Sequence, residues 1–192
     1  MTELFDTMPA EVPIRLRERL AADAEREGLL DIAYRTVDTP VGSLLLAATP
    51  AGLVRVAYGP VSEALDALAE KVSPRILHAP ARLDAVVRQL DEYFAGSRRV
   101  FDVPLDLRLA TGFRRAVLTH LADIGYGRTE SYAEVAAAAG SPRAVRAVGT
   151  ACANNPVPVV LPCHRVVRSD GTSGGYVGGV AAKQTLLTLE AA

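Results

Sequence analysis

SYAEVAAAAGSPRAVRAVGTACAN, residues 131–154, reads as two short helices joined by a tight turn. Ser131 and Glu134 stand at the spacing of a capping box, in which the serine side chain accepts from a first-turn N–H and the glutamate reaches back to the Ser131 N–H. Gly140 ends the first helix by taking a left-handed conformation at little cost. Ser141 is then placed to cap a second helix with Pro142 at its first position, where a missing N–H costs nothing. Pro156 disfavours the α conformation at Asn155, so that helix stops near Asn154. The sequence thus predicts a helix-turn-helix. Along the second helix, Pro142–Asn154, the residues Val145, Val148 and Cys152 form an inward stripe and Arg143 and Arg146 lie on another face. Between them are only the small residues Ala144, Ala147, Gly149, Thr150 and Ala151. An ordinary helix is about 10–12 Å across and the minor groove of B-DNA about 6 Å wide, so a stripped helix suits that groove. A close helix–helix contact accounts equally well for the same residues.

Beyond this pair comes NPVPVVLPCHRVV, residues 155–167, which sets a thiol beside an imidazole. Cys152 and Cys163 are the two cysteines of the chain, too few for a disulfide framework or a tetrathiolate site. The histidines His78, His120 and His164 lack ligand spacing, so neither a metal nor a cofactor is expected. A cysteine reacts as the thiolate, and with an unperturbed pKa of about 8.5 it needs a histidine, a helix N-terminus or a cation to help it ionise. His164 is a candidate, but neighbours in an extended chain point to opposite faces, so a water or a turn must join the two groups. A buried Cys163 beside a surface histidine is the plain alternative.

Upstream, Gly112–Ile124 reads as a helix with Phe113, Val117, Leu118 and Leu121 on one side, followed by a Gly125-Tyr126-Gly127 turn. Ser97–Leu109 is expected to be an extended connector and a domain boundary. From Ile32 to Gly59 the chain is rich in β-branched and apolar residues, interrupted by turn chemistry at Thr39–Gly42 and Thr49–Gly52, which predicts a three-stranded antiparallel meander. Helices are expected over Ser62–Val72 and Ala81–Phe94, and an amphipathic one over Pro13–Glu27 ended by Gly28. The expected fold is α/β (α+β): an N-terminal helical extension over 1–30, an α/β domain over 31–104 with a small antiparallel sheet and helices, and a mainly helical domain over 105–192.

The near-neutral net charge hides an asymmetry. Residues 1–107 carry 12 Lys/Arg against 17 Asp/Glu, a net of −5, whereas residues 108–183 carry 9 against 4, a net of +5. A positive field on one half is the footprint of a polyanion binder, although a solvated basic face gives the same count. No apolar run approaches the roughly 20 residues of a membrane span, and Glu3 and Asp6 precede any basic residue, unlike a signal peptide. A cytoplasmic monomer with no membrane partner is the expectation.

Around Cys163 the chain resembles the O6-alkylguanine-DNA alkyltransferase family, whose Pro-Cys-His-Arg-Val signature stands complete as Pro162–Val166. The resemblance takes in Ser131-Tyr132, Arg146–Gly149, Asn155-Pro156, Gly174–Gly179, Lys183 and Leu186–Glu190. It implies a ribonuclease-H-like N-terminal domain and suicide repair of duplex DNA, the alkyl group of O6-alkylguanine passing irreversibly to Cys163. Whether O4-alkylthymine also reacts stays open. It further implies that His164 deprotonates Cys163 through a water, that Glu190 orients the imidazole, and that Asn155 joins the recognition helix to the active-site strand. Arg146 would fill the gap left by a flipped base, with Ala147, Gly149 and Arg143 on the same DNA-facing helix. Tyr132 would crowd the target phosphate and contact the base, and Pro158, Val166, Tyr176, Val177, Gly178 and Lys183 would complete the pocket. The chain departs from the family pattern at Arg114 and Leu118, where many members carry Gln and Trp, at Gly125, often Pro, and at Val177, Ser in some. It lacks the N-terminal cysteines that hold zinc in some relatives, and residues 1–30 have no counterpart. A cysteine hydrolase using Cys163, His164 and Glu190, and a non-catalytic DNA-binding regulator, are the competing readings.

Overall fold

The computed structural model describes residues 11–191; the part of the expected extension over 1–10 lies outside the described residues. Helix α1 spans Glu11–Arg26, two residues earlier than the sequence predicts, and is followed by strands β1 (Ile32–Thr39), β2 (Gly42–Thr49) and β3 (Gly52–Ala57). Helix α2 covers Val61–Lys71, β4 Ile76–His78 and α3 Asp84–Phe94, the last preceded by a 3-10 turn over Pro80–Leu83. The predicted meander is present but is not the whole sheet. Its order is β3-β2-β1-β4, and β4 pairs in parallel with β1, so the sheet is mixed rather than antiparallel. Three residues between a loop and Pro80 carry too short a pattern to announce a strand.

The apolar run Leu44–Ala48 explains why the sheet needs cover on both sides, since successive side chains on a strand point to opposite faces. Leu45 and Ala47 join Ile32, Val54 and Ala57 under α2, against Ala64 and Leu68. Leu44, Leu46 and Ala48 share a core with Leu83 of the 3-10 turn and with Leu90 and Tyr93 of α3, and that core continues into the C-terminal half.

Within the expected connector Ser97–Leu109, residues 104–106 run alongside β3 in a parallel bridge between Leu53 and Leu105. Leu53 donates to the Pro104 carbonyl at 2.8 Å and Asp106 donates back to the Leu53 carbonyl at 2.9 Å. Helix α4 (Gly112–Leu121) ends earlier than predicted; α5 spans Tyr132–Ala138, α6 Val145–Ala153 and α7 Gly179–Glu190, with a two-residue parallel pair of β5 (Glu130–Ser131) and β6 (Val166–Val167). The predicted capping box is formed: Glu134 N–H donates to Ser131 Oγ at 3.2 Å, and Ser131 N–H donates to the Glu134 carboxylate at 2.6 Å. Gly140 takes φ +79° where the chain reverses between α5 and α6.

The start of α6 differs from expectation. Ala144 N–H donates to the Ser141 carbonyl at 2.8 Å, closing a turn over Pro142 and Arg143, so Ser141 caps no helix and α6 begins three residues later than expected. Val145, expected to point inward, is exposed, whereas Val148 and Cys152 are buried. Among the described residues no helix is long and apolar enough to cross a membrane.

Candidate active site

The chain approaches Cys163 through a constrained passage. Asn155 Nδ2 donates to the Leu161 carbonyl at 2.8 Å, and its Oδ1 accepts from Val157 N–H at 3.0 Å. One amide thus ties the end of α6 to both sides of the loop. Within that loop Val159 has φ +72°, a left-handed conformation costly for a β-branched residue and held by the surrounding contacts. After Pro162 the chain is not extended: Cys163–Arg165 form a 3-10 turn, which rotates the thiol and imidazole to different directions.

His164 is fully buried, and its Nε2 lies 2.8 Å from Glu190 Oε1. A carboxylate only accepts, so Nε2 carries the proton and Nδ1 bears the lone pair. That Nδ1 is itself buried with no hydrogen-bond partner among the described residues. Burial lowers the imidazole pKa against the pull of Glu190, and the ring is neutral at pH 7. Glu190 is held more tightly than sequence reasoning foresaw. Arg165 donates to it twice at 2.8 Å, Tyr93 Oη at 2.6 Å and Gly127 N–H at 3.2 Å. Burial alone would raise this carboxyl, but the hydrogen bonds from His164, Arg165 and Tyr93 keep it well below the usual carboxylate range.

Cys163 lies at a cavity of about 390 Å³ lined also by Tyr132, Gly149, Cys152, Gly175, Tyr176 and Val177. Burial pushes the thiol up to about 11, with the Asn155 side chain and the Lys183 ammonium pulling it down. A free thiolate is therefore scarce near neutrality, and attack requires a base at the moment of reaction.

Of the residues expected in the pocket, Tyr132, Tyr176 and Val177 line it, whereas Pro158, Val166, Gly178 and Lys183 do not; Gly149, expected on the DNA-facing helix, lines it too. Lys183 is buried behind the wall and donates to the Val166 carbonyl at 2.6 Å, so these two expected pocket residues bond each other. Gly178 backs onto Tyr58, and a Cβ there would come within 2.5 Å of the ring, so the glycine is needed for close approach. Tyr58 in turn meets Tyr176 hydroxyl to hydroxyl at 3.2 Å with rings edge to face. Tyr58 and Tyr93 come from the N-terminal half, and nothing local in the sequence connects either to Cys163. Arg143, Arg146 and Ala147 are exposed on the outer side of the helix pair, beside the cavity mouth at Gly149.

Both halves of the chain are similar to known proteins. Residues 112–192 match the DNA-binding domain model of 6-O-methylguanine DNA methyltransferase, and residues 32–107 match its ribonuclease-like domain. A methylated-DNA–protein-cysteine methyltransferase of Mycobacterium tuberculosis (strain ATCC 25618 / H37Rv) is 42% identical over 162 residues, 83% of this chain and 92% of the relative. The constitutive enzyme of that name from Bacillus subtilis (strain 168) is 37% identical over 163 residues, 82% of this chain and 94% of its own. A Mycobacterium tuberculosis structure solved in complex with DNA superposes with a TM-score of 0.72 at 40% identity, covering 83% of this chain and 92% of that one. With both halves matched and a relative 42% identical over most of its length, the chain belongs to the methylated-DNA–protein-cysteine methyltransferase family.

Proposed function

We propose that this protein repairs duplex DNA by transferring the alkyl group of O6-alkylguanine, methyl in the simplest case, to Sγ of Cys163, once per molecule. The observation that carries the reading is a thiol on a cavity large enough for a purine, next in sequence to a buried imidazole whose Nε2 is held by Glu190 and whose Nδ1 is unpartnered among the described residues. The target oxygen of a stacked guanine is out of reach, so the base must be extruded at a cost of a few kcal/mol. Arg146 fills the vacated stack, with Arg143 on neighbouring phosphate and Ala147 and Gly149 letting the helix lie close in the minor groove. Tyr132 and Tyr176 then flank the extruded base.

In the transfer, a water relays the Cys163 proton to His164 Nδ1 as Sγ bonds to the alkyl carbon and the bond from that carbon to O6 breaks. Glu190 stabilises the imidazolium, as the carboxylate of a hydrolytic triad does. Tyr132, whose pKa is raised by burial, keeps its proton and hydrogen-bonds the departing guanine. The relayed proton finishes on the restored base, so charge and atoms balance. No group in the site reverses a thioether, which makes the reaction stoichiometric and, unlike a hydrolase, free of turnover. No step calls for a cofactor, and the protein works as a monomer in the cytoplasm.

Intact-mass and peptide mass spectrometry after mixing with an O6-methylguanine duplex tests this. The expected result is one methyl per chain, confined to the Cys163 peptide; an unchanged protein beside intact methylated DNA overturns it.

A further inference from the structure

A second cavity, of about 360 Å³, opens between β3, α2 and the C-terminal end of α6. Its cations are Arg55, Lys71 and Arg114, and among the described residues no carboxylate lines it. This is a local exception to the acidic balance of residues 1–107. Arg55 Nε is buried without a hydrogen-bond partner among the described residues, and burial lowers the guanidinium pKa with no acid to offset it. Arg114 spends one donor on the Leu109 carbonyl and keeps the rest. Three like charges around one cleft repel each other and lose hydration unless an anion joins them. A phosphate suits this lining, because a guanidinium offers paired donors to its oxygens and Lys71 adds a point charge.

Ala153 and Val177 line both this cleft and the cavity at Cys163, so the two openings are neighbours on one face. We propose that the Arg55–Lys71–Arg114 cleft is a phosphate site that seats a DNA backbone phosphate beside the extruded nucleotide, giving the N-terminal half a direct grip on the substrate. The inference rests on the repair reading above. A free phosphate or nucleotide would present the same chemistry.

The test is fluorescence anisotropy on a duplex over a salt series, with Arg55→Gln and, on a different element, Lys71→Gln. Each contacted phosphate contributes about 0.9 to the slope of log K against log salt, so each variant should flatten the slope by up to about 1. Affinity at fixed moderate salt should fall roughly 3- to 10-fold, with Arg55→Lys restoring most of it and Arg88→Gln, on the exposed side of α3, leaving it unchanged. Thermal melting with inorganic phosphate is the second arm. Phosphate that raises the melting point of wild type but not of Arg55→Gln, with DNA slopes unaltered, assigns the cleft to a free phosphate and overturns the DNA assignment. Unaltered slopes with no phosphate effect overturn the site altogether. Wild type that binds duplex but transfers no methyl group indicts the repair reading, separately from this one.

Discussion

At the residue scale the decisive quantity is the protonation of three buried groups. Cys163 holds its proton to about pH 11 and His164 is neutral, so the rate depends on a proton moving between them during attack. Because the folded imidazole pKa lies below 6.5, single-turnover transfer should stay level as pH falls from 7.5 through 6.5 and decline only below that. A decline centred above pH 6.5 would assign the base elsewhere. Glu190 couples this chemistry to stability. Its carboxyl titrates below the ordinary 4.5 when folded, so its contribution is complete above that value and is lost as pH drops toward the folded one. Glu190→Gln should therefore lower transfer by about 10²- to 10⁴-fold and flatten the acid limb of the unfolding curve, read by denaturant titration at several pH values. Cys163, His164, Asn155 and Glu190 were legible from the Pro162–Val166 signature and the residues around it. Tyr93 was not, because a tyrosine at the end of an amphipathic helix reads as core packing and its hydroxyl partner is 97 residues away.

At the element scale, legibility followed how local the cause was. The α5 capping box needs only Ser131 and Glu134 and was read correctly. The start of α6 was misread because Ser141-Pro142 satisfies both a helix start and a β-turn, and the Ala144 to Ser141 bond that selects the turn is invisible in sequence. Strand β4 needs β1 as its parallel partner, a choice that no pattern within Ile76–His78 encodes. Since the cap fixes where α5 presents Tyr132, Ser131→Ala should cost about 1 kcal/mol and lower the melting temperature by roughly 2–4 °C. Differential scanning calorimetry measures it, and no shift would mean that tertiary packing alone sets the end of α5. On α6, Arg146→Ala should reduce transfer from duplex more than transfer from a free O6-alkylguanine base, in a side-by-side rate comparison. Equal losses would place Arg146 in folding rather than in extrusion.

At the scale of the whole molecule, the two halves divide less cleanly than the charge count and the connector suggest. The core that begins with Leu44, Leu46 and Leu90 runs without interruption to Val117, Val135, Val148 and Leu186. Val56 N–H donates to the Pro156 carbonyl at 2.8 Å, so the last long strand holds the loop that leads to Cys163. Tyr93 anchors Glu190 and Tyr58 backs Tyr176, both from the half that carries none of the reacting groups. Residues 105–192 alone would therefore keep the signature but expose the apolar side of α4 and the loop, and leave Glu190 short of a donor. Losing a hydrogen bond to a buried charged group costs about 1.5–3 kcal/mol before the exposed core is counted, out of a total domain stability of about 5–15 kcal/mol. Such a fragment should melt without a sharp transition and transfer methyl at least about 10²-fold more slowly than the full chain, by circular dichroism and single-turnover assay. Tyr93→Phe in the full chain isolates the hydroxyl: a smaller loss of both stability and rate is expected. A fragment that melts cooperatively and reacts at the full rate would show that the N-terminal half is dispensable to the site.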